Sequence, residues 1–269
     1  MSRSFRRFLA RNRRNPLIMR IARRAESYVR GYNNFDYDPV HNGELFLLKT
    51  ASNVFPHDSV IVDVGANEGD WTRLALDVCP NATIHAFELV PDTFARLEAR
   101  MGRESRVHLN AFGLVDRNGV LPVKTAVGNS TRSTLILGAE IGVIETPEIQ
   151  CPVQTGDSYL NANQMSRIDL LKIDTEGAEH FVLKGFSQAL ADELIGVIQF
   201  EYGRANVATR FLLGDFYAML EPLGFEIGKL YPNYVNFRAY SSVLEDFLGP
   251  NYVAVHRRHS ELRSRLAAN

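Results

Sequence analysis

A chain of 269 residues, 45% hydrophobic and 23% charged, has the profile of a globular protein able to bury a full core, so one domain with decorated ends is expected. No apolar stretch approaches the roughly 20 residues that a membrane-spanning helix needs, and the first thirty residues lack the apolar segment of a secretory signal, which makes the cytoplasm the expected location. The net charge of −1 hides an asymmetry, since residues 1–30 hold ten arginines against Glu26 alone. The two cysteines, Cys79 and Cys151, match neither a metal-ligand pattern nor a disulfide framework and read as buried thiols.

Residues 1–42 are expected to form a basic N-terminal arm. Arg3, Arg6, Arg7, Arg11, Arg13, Arg14, Arg20, Arg23, Arg24 and Arg30 are interleaved there with Phe5, Phe8, Leu9, Leu17, Ile18 and Ile21. Such a segment suits peripheral contact with an anionic membrane surface, or nucleic acid, although nucleic acid is not the expected partner. The plainer expectation is a solvated arm that packs its few apolar residues onto the domain, with Pro16 breaking any single helix.

A single domain is expected over residues 43–269. Residues 43–54 read as a helix, and SVIVDVGAN (59–67) as a buried parallel strand that opens into a glycine loop. GDWTRLALDVC (69–79) reads as a helix stopped by Pro80, ATIHAFELV (82–90) as the second strand, PDTFARLEARM (91–101) as a helix and RVHLNAFGLV (106–115) as the third strand. Strands alternating with helices predict an α/β fold with a parallel sheet covered on both faces. The segment at about 116–154 breaks that rhythm. Its strand candidates 120–126 and 148–155, around the polar loop GNSTRSTL (128–135), predict an inserted hairpin or flap. Alternation resumes with a short helix near 157–161, a strand at IDLLKID (168–174), a helix from about Glu176, a strand at 196–202 and an amphipathic helix over 211–223 ended by Gly224. FEIGKLY (225–231) and NYVAVHR (251–257) are expected to pair as antiparallel final strands.

Ligands of such sheets bind beyond the carboxyl ends of the strands, where the winding reverses. Gly65 and Gly69 are expected to let the backbone approach a ligand, and Glu88, at the end of the second strand, suits the two hydroxyls of an adenosine ribose. A nicotinamide dinucleotide wants G-x-G-x-x-G, but here Asn67 and Asp70 stand where the second and third glycines belong. A sulfonium-bearing nucleoside carries no phosphate, and acids such as Asp63 suit its positive charge. A NAD(P)-dependent oxidoreductase and a non-catalytic adenosine-binding module remain the alternatives.

VDVGANEGDWT, HAFEL, LLKIDTEGAEHFVLKGF and the late NYVAV together resemble the FkbM-type methyltransferases, a branch of the S-adenosylmethionine-dependent class I fold, over about residues 59–257. The resemblance implies a doubly wound, Rossmann-like, seven-stranded sheet, mostly parallel with an antiparallel last strand, and O-methylation of a hydroxyl on a sugar, glycolipid, polysaccharide or polyketide-like metabolite. It assigns the glycine loop to the methionine part of S-adenosyl-L-methionine, Glu88 to the ribose, and Asn110 or its neighbours to the adenine, and Asp63, Gly65, Asn67, Gly69, Trp71 and Thr72 are the further expected cofactor contacts.

An alcohol is a poor nucleophile until its proton leaves, so a positioned acid or histidine is expected near the acceptor. Alternation along the strand puts Lys172 and Asp174 on one face, with Asp174 at its carboxyl end and Glu176 just beyond. Asp174 or Glu176 is the expected general base or acceptor-positioning group, and His180, four residues after Glu176, the neighbour that shares its helix face. Lys172 is expected to pair with Asp63 or Asp174, and Glu179 to be a helix-end charge. Glu201 next to Asp174 makes an acidic pair without further clear ligands, so no metal is expected. Ser130, Thr131 and Arg132 on the flap, and Glu201, Tyr202, Arg204 and Asn206 after the fifth strand, are the expected acceptor contacts.

Overall fold

The computed structural model describes residues 2–125, 133–134 and 148–267. Its strands are β1 (Val60–Val64), β2 (Thr83–Phe87), β3 (Val107–Asn110), β4 (Gly113–Leu114), β5 (Gly119–Thr125), β6 (Ser133–Thr134), β7 (Glu148–Gln154), β8 (Ile168–Ile173), β9 (Ile195–Glu201), β10 (Phe225–Tyr231), β11 (Tyr234–Phe237) and β12 (Asn251–His256). The helices are α1 (Arg3–Arg11), α2 (Pro16–Tyr32), α3 (Glu44–Ser52), α4 (Asp70–Val78), α5 (Pro91–Met101), α6 (Gly156–Ala162), α7 (Glu179–Gly185), α8 (Ser187–Ala191), α9 (Ala205–Thr209), α10 (Leu213–Leu220) and α11 (Ser260–Leu266).

The main sheet runs β11-β10-β12-β9-β8-β1-β2-β3. Strands β9, β8, β1, β2 and β3 are parallel, and β12 enters antiparallel between β9 and β10. The chain winds outward from β1 through β2 to β3 and then returns to β1's other side as β8, so the winding reverses between β1 and β8. That crevice is where a ligand belongs.

Alternation along the central strands sorts their side chains between two apolar layers. Ile61, Leu170 and Val197 face a layer built with Leu47, Leu48, Trp71, Ala75, Leu97 and Leu262 from α3, α4, α5 and α11. Val62, Leu171, Ile198 and Phe200 face Tyr159, Val182, Leu183, Phe186 and Phe216 from α6, α7 and α10 and the turn after α7. On the first face the apolar pattern is broken by one row across the sheet. Asp63 stands in register with Lys172, and Lys172 with Gln199. All three are buried.

The structure differs from the expectations in four places. The sheet has eight strands and not seven, because the chain turns back after Tyr231 and adds β11 to the edge of β10. The stretch 106–115 is two strands, since β4 leaves the main sheet and pairs with β7 in a second sheet, β4-β7-β5-β6. The hairpin expected from residues 120–126 and 148–155 is the antiparallel β5-β7 pair of that sheet. The helix expected from Glu176 starts at Glu179, because Glu176 (φ 54°) and Gly177 (φ 102°) both take left-handed backbone that ends the approach to a helix. Finally, the arm does not pack its apolar residues on the domain: it folds as α1 and α2, the latter opened by Pro16 behind the Asn15 cap, and neither helix buries a residue.

Candidate active site

Four strand ends meet at the crevice. The loop after β1 brings Gly65, Ala66 and Asn67, the end of β2 brings Glu88 and Leu89, the end of β8 brings Asp174, Thr175 and Glu176, and β9 ends in Glu201. With Trp71, Asp70 and Glu68 from the start of α4, Glu44 from α3, Lys172, and Tyr37 and Pro39 from the segment before α3, they line a cavity of about 290 Å³. That lies near the lower end of the roughly 300–1,000 Å³ typical of small-molecule pockets.

The cavity is strongly acidic. Among the described residues, Glu44, Glu68, Asp70, Glu88, Asp174, Glu176 and Glu201 line it against one cation, Lys172. Lys172 is already engaged: its Nζ lies 3.3 Å from Asp63 and 3.4 Å from Asp174, and 5.4 Å from the Trp71 ring centroid. Burial opposes its charge, but Asp63, Asp174 and Glu44 together outweigh burial and hold its pKa above the usual lysine value. Asp63 is fully buried and also accepts from the Thr72 hydroxyl at 2.7 Å. Asp63 and Thr72 are expected cofactor contacts that are not among the residues lining the cavity.

Packing within the protein by itself demands glycine at both positions of the loop. Gly65 has φ 83°, and a Cβ on it would fall 1.9 Å from the Asp174 carbonyl oxygen; Gly69 has φ 88°, and its Cβ would meet Leu97 at 2.7 Å. Both glycines let protein approach protein. Asn67, at φ 49°, donates its backbone N–H to Glu88 Oε2 at 3.1 Å, and Val90 donates to Oε1 at 2.8 Å. Burial, the largest effect, raises the Glu88 pKa above the usual carboxylate value. Each Glu88 oxygen keeps a lone pair for a further donor.

Beyond the end of β8 the chain is held by Glu179. One oxygen of this buried carboxylate accepts from Thr175 N at 3.1 Å, Thr175 Oγ1 at 3.2 Å and Gly177 N at 3.0 Å, and the other from the Asn206 amide at 3.4 Å. Glu179 thus shapes the turn that carries Asp174 and Glu176. Asp174, Glu176 and Glu201 each place a carboxylate oxygen within 4.8 Å of the others. Burial raises the Glu201 pKa well above the usual value, and the charges of Asp174, Glu176 and Glu179 raise it further. A proton is therefore held at Glu201 more tightly than at an isolated, solvated glutamate.

The remaining expected contacts fall elsewhere. His180 is buried beside Phe211, its ring stacked at 4.4 Å and 9°, with burial first and Lys184 next lowering its pKa to about 4; it faces away from the cavity. The Asn110 amide turns back to donate to Ala86 O at 3.2 Å and His108 O at 3.1 Å and does not line the cavity. Tyr202 follows Glu201, so alternation sends it to the opposite face, where its hydroxyl donates to Glu245. Arg204 is exposed outside the cavity, and Asn206 is tied to Glu179 and to Gly203 N at 2.9 Å. Ser130, Thr131 and Arg132 lie outside the described residues.

Sequence reading missed Glu44, Tyr37 and Pro39. Glu44 opens α3, where an acid reads as an ordinary helix-end charge. Its signal was Gln199, a polar residue on the buried face of β9, whose amide donates to Glu44 while Asn42 donates to the other Glu44 oxygen at 2.8 Å. Burial raises the Glu44 pKa.

These residues fit a cationic nucleoside. The Trp71 indole N–H and the Asn67 Oδ1 are buried and without a hydrogen-bond partner among the described residues, and both belong to the cavity wall. They supply one donor and one acceptor to a ligand. Glu88 would hold a ribose, and the surrounding acids would favour a sulfonium and an ammonium. A dinucleotide fits poorly, because its pyrophosphate would meet seven acids and a lysine already shared by two carboxylates.

Comparison with known proteins agrees. The model of the methyltransferase FkbM domain matches residues 63–227. The chain is 31% identical over 161 residues to methyltransferase 1 of Beauveria bassiana, a match covering 54% of this chain and 65% of that protein. It is 28% identical over 147 residues to the 2-O-methyltransferase NoeI of Sinorhizobium fredii, covering 49% of this chain and 59% of the relative. It is 24% identical over 164 residues to the hexuronic acid methyltransferase AglP of Haloferax volcanii, covering 60% and 64%. In each case the match spans less than two thirds of the relative's length.

Proposed function

The chain belongs to the FkbM methyltransferase family, with S-adenosylmethionine as methyl donor, and from that premise we propose that it methylates a hydroxyl oxygen of a sugar-like acceptor. The observation that carries this reading is the group of Asp174, Glu176 and Glu201 at the open end of an acid-lined cavity. Two of the relatives are named for methylating a 2-O position and a hexuronic acid, which supports a sugar hydroxyl as the acceptor class.

Bound in the cavity, the donor would supply an electrophilic methyl group, its carbon–sulfur bond breaking and the neutral thioether leaving as the carbon–oxygen bond forms. The chain's own residues prepare that nucleophile. A carboxylate of raised pKa is the stronger base, so Glu201 takes the hydroxyl proton as the oxygen attacks, a role worth roughly a hundred- to ten-thousand-fold. Asp174, fixed by Lys172, orients Glu201 and strengthens it as a base by its charge. Glu88 and Asn67 hold the nucleoside, and holding both partners in line supplies further acceleration by proximity.

The test is incubation with methyl-labelled S-adenosylmethionine and a panel of oligosaccharides, with the product read by mass and by the methoxyl signal in NMR. An O-methylated sugar is expected. An N-methylated product, or transfer only to non-hydroxyl groups, overturns the reading.

A further inference from the structure

We propose that α1 and α2 form an in-plane anchor that docks the protein on an anionic lipid bilayer. In α1, Phe5, Phe8 and Leu9 recur at three- and four-residue spacing and share one face, the two phenylalanine rings stacking at 6.5 Å. Arg3, Arg7 and Arg11 fall on the opposite face. In α2, Leu17, Ile18, Ile21, Tyr28, Val29 and Tyr32 make an apolar stripe along the whole helix, and Arg20, Arg23 and Arg30 occupy the far side.

This stripe has no cover among the described residues. Neither helix buries a residue, and Leu17, Ile21, Tyr28 and Tyr32 are 63%, 59%, 73% and 73% exposed. The chemistry of both faces together names the occupant. Headgroup phosphates take the guanidinium groups, of which ten stand against the one acid Glu26, itself paired with Arg30 at 2.8 Å. The acyl boundary takes the apolar stripe. A nucleic acid would satisfy the arginines and leave the phenylalanine, leucine and isoleucine side chains in water.

The anchor is joined firmly to the domain. Buried Asn34, two residues past α2, donates its amide to Asn42 O at 2.7 Å and Leu230 O at 2.9 Å, and Arg30 lies 5.1 Å from the Phe35 ring centroid. Tyr37 and Pro39 then form part of the cavity wall. Resting on the proposed function, this linkage brings the cavity beside hydroxyls displayed at a membrane surface.

Co-sedimentation of the full chain with phosphatidylcholine vesicles, with and without roughly 30% phosphatidylglycerol, tests the anchor. Binding at least tenfold tighter to the anionic vesicles is expected. Combining Phe5→Ser, Phe8→Ser, Leu17→Ser and Ile21→Ser should lower it at least tenfold, as should Arg20→Gln with Arg23→Gln and Arg24→Gln, while calorimetric affinity for S-adenosylhomocysteine stays unchanged. No vesicle binding, equal binding to neutral vesicles, full binding by the serine variant, or stronger retention on duplex DNA or RNA than on anionic vesicles overturns it. Loss of S-adenosylhomocysteine affinity in both variants also overturns it, since the helices would then belong to the domain.

Discussion

Lys172 and Asp63 stand in register on neighbouring strands and form a buried ion pair at 3.3 Å, with Lys172 in the wall of the cavity. With 5% and 0% of their side chains exposed, neither can turn to water for a partner. Removing one charge strands the other, which costs about 3–5 kcal/mol. Lys172→Met should therefore lower Tm by roughly 10 °C. Lys172→Met with Asp63→Asn should recover part of that loss in the same thermal scan, because the fully buried Asp63 charge is removed with its partner.

Glu179 is a structural carboxylate with a consequence for the site. Glu179→Ala deprives Thr175 N and Gly177 N of their acceptor and should destabilise the protein by about 3 kcal/mol, measurable by urea unfolding. Because the same turn carries Asp174 and Glu176, turnover should fall further than the loss of folded protein explains.

Glu201 is the proposed base, and its pKa is raised, so activity should fall as pH drops through a value above the ordinary carboxylate range. Glu201→Gln should remove that limb from the pH–rate profile and lower kcat roughly a hundred- to ten-thousand-fold. Asp174→Asn removes a charge that raises the Glu201 pKa, so the limb should move to lower pH. The rate should survive a chelator. A strict requirement for a divalent ion would instead make the cluster of Asp174, Glu176 and Glu201 a metal site.

Two histidines set an acid limit on stability. His85 is buried, hydrogen-bonded to the Tyr159 hydroxyl at 2.7 Å, and burial followed by His108 lowers its pKa to about 4. His180 is lowered to about 4 as well. An unfolded histidine titrates near roughly 6.5, so the unfolded state takes up protons first. The stabilisation is complete above that value and is lost as pH falls toward 4, at up to about 1.4 kcal/mol per pH unit for each ring. Urea midpoints between about pH 7 and pH 5 should fall accordingly, and His85→Gln should flatten the slope.

The order of elements was legible because strands β1, β2, β8 and β9 are mostly apolar runs of strand length and their helices carry clear stops. Glu88 and Asp174 were legible for the same reason: an acid at the carboxyl end of a buried strand has one place to be. Asp63, Thr72 and His180 fall outside the cavity lining, which the sequence does not reveal, because a polar residue near a site reads the same whether it lines the cavity or braces it, and only packing separates the two. Tyr202 illustrates the point, since one step along the strand from Glu201 reverses its face. Glu44 was missed because Gln199, the partner that draws it into the site, lies far along the chain and only the folded sheet brings the two together. The eighth strand depended on a tight turn between Tyr231 and Tyr234 that no glycine marks.

Titration calorimetry with S-adenosylhomocysteine, on the native chain and on Glu88→Gln, tests most directly whether the cavity between β1, β2 and β8 holds the methyl donor. One equivalent should bind, NAD should give no heat, and the substitution should weaken binding about tenfold, or roughly 1.4 kcal/mol, by removing one ribose acceptor. No heat with S-adenosylhomocysteine, or undiminished affinity in the variant, would contradict the account.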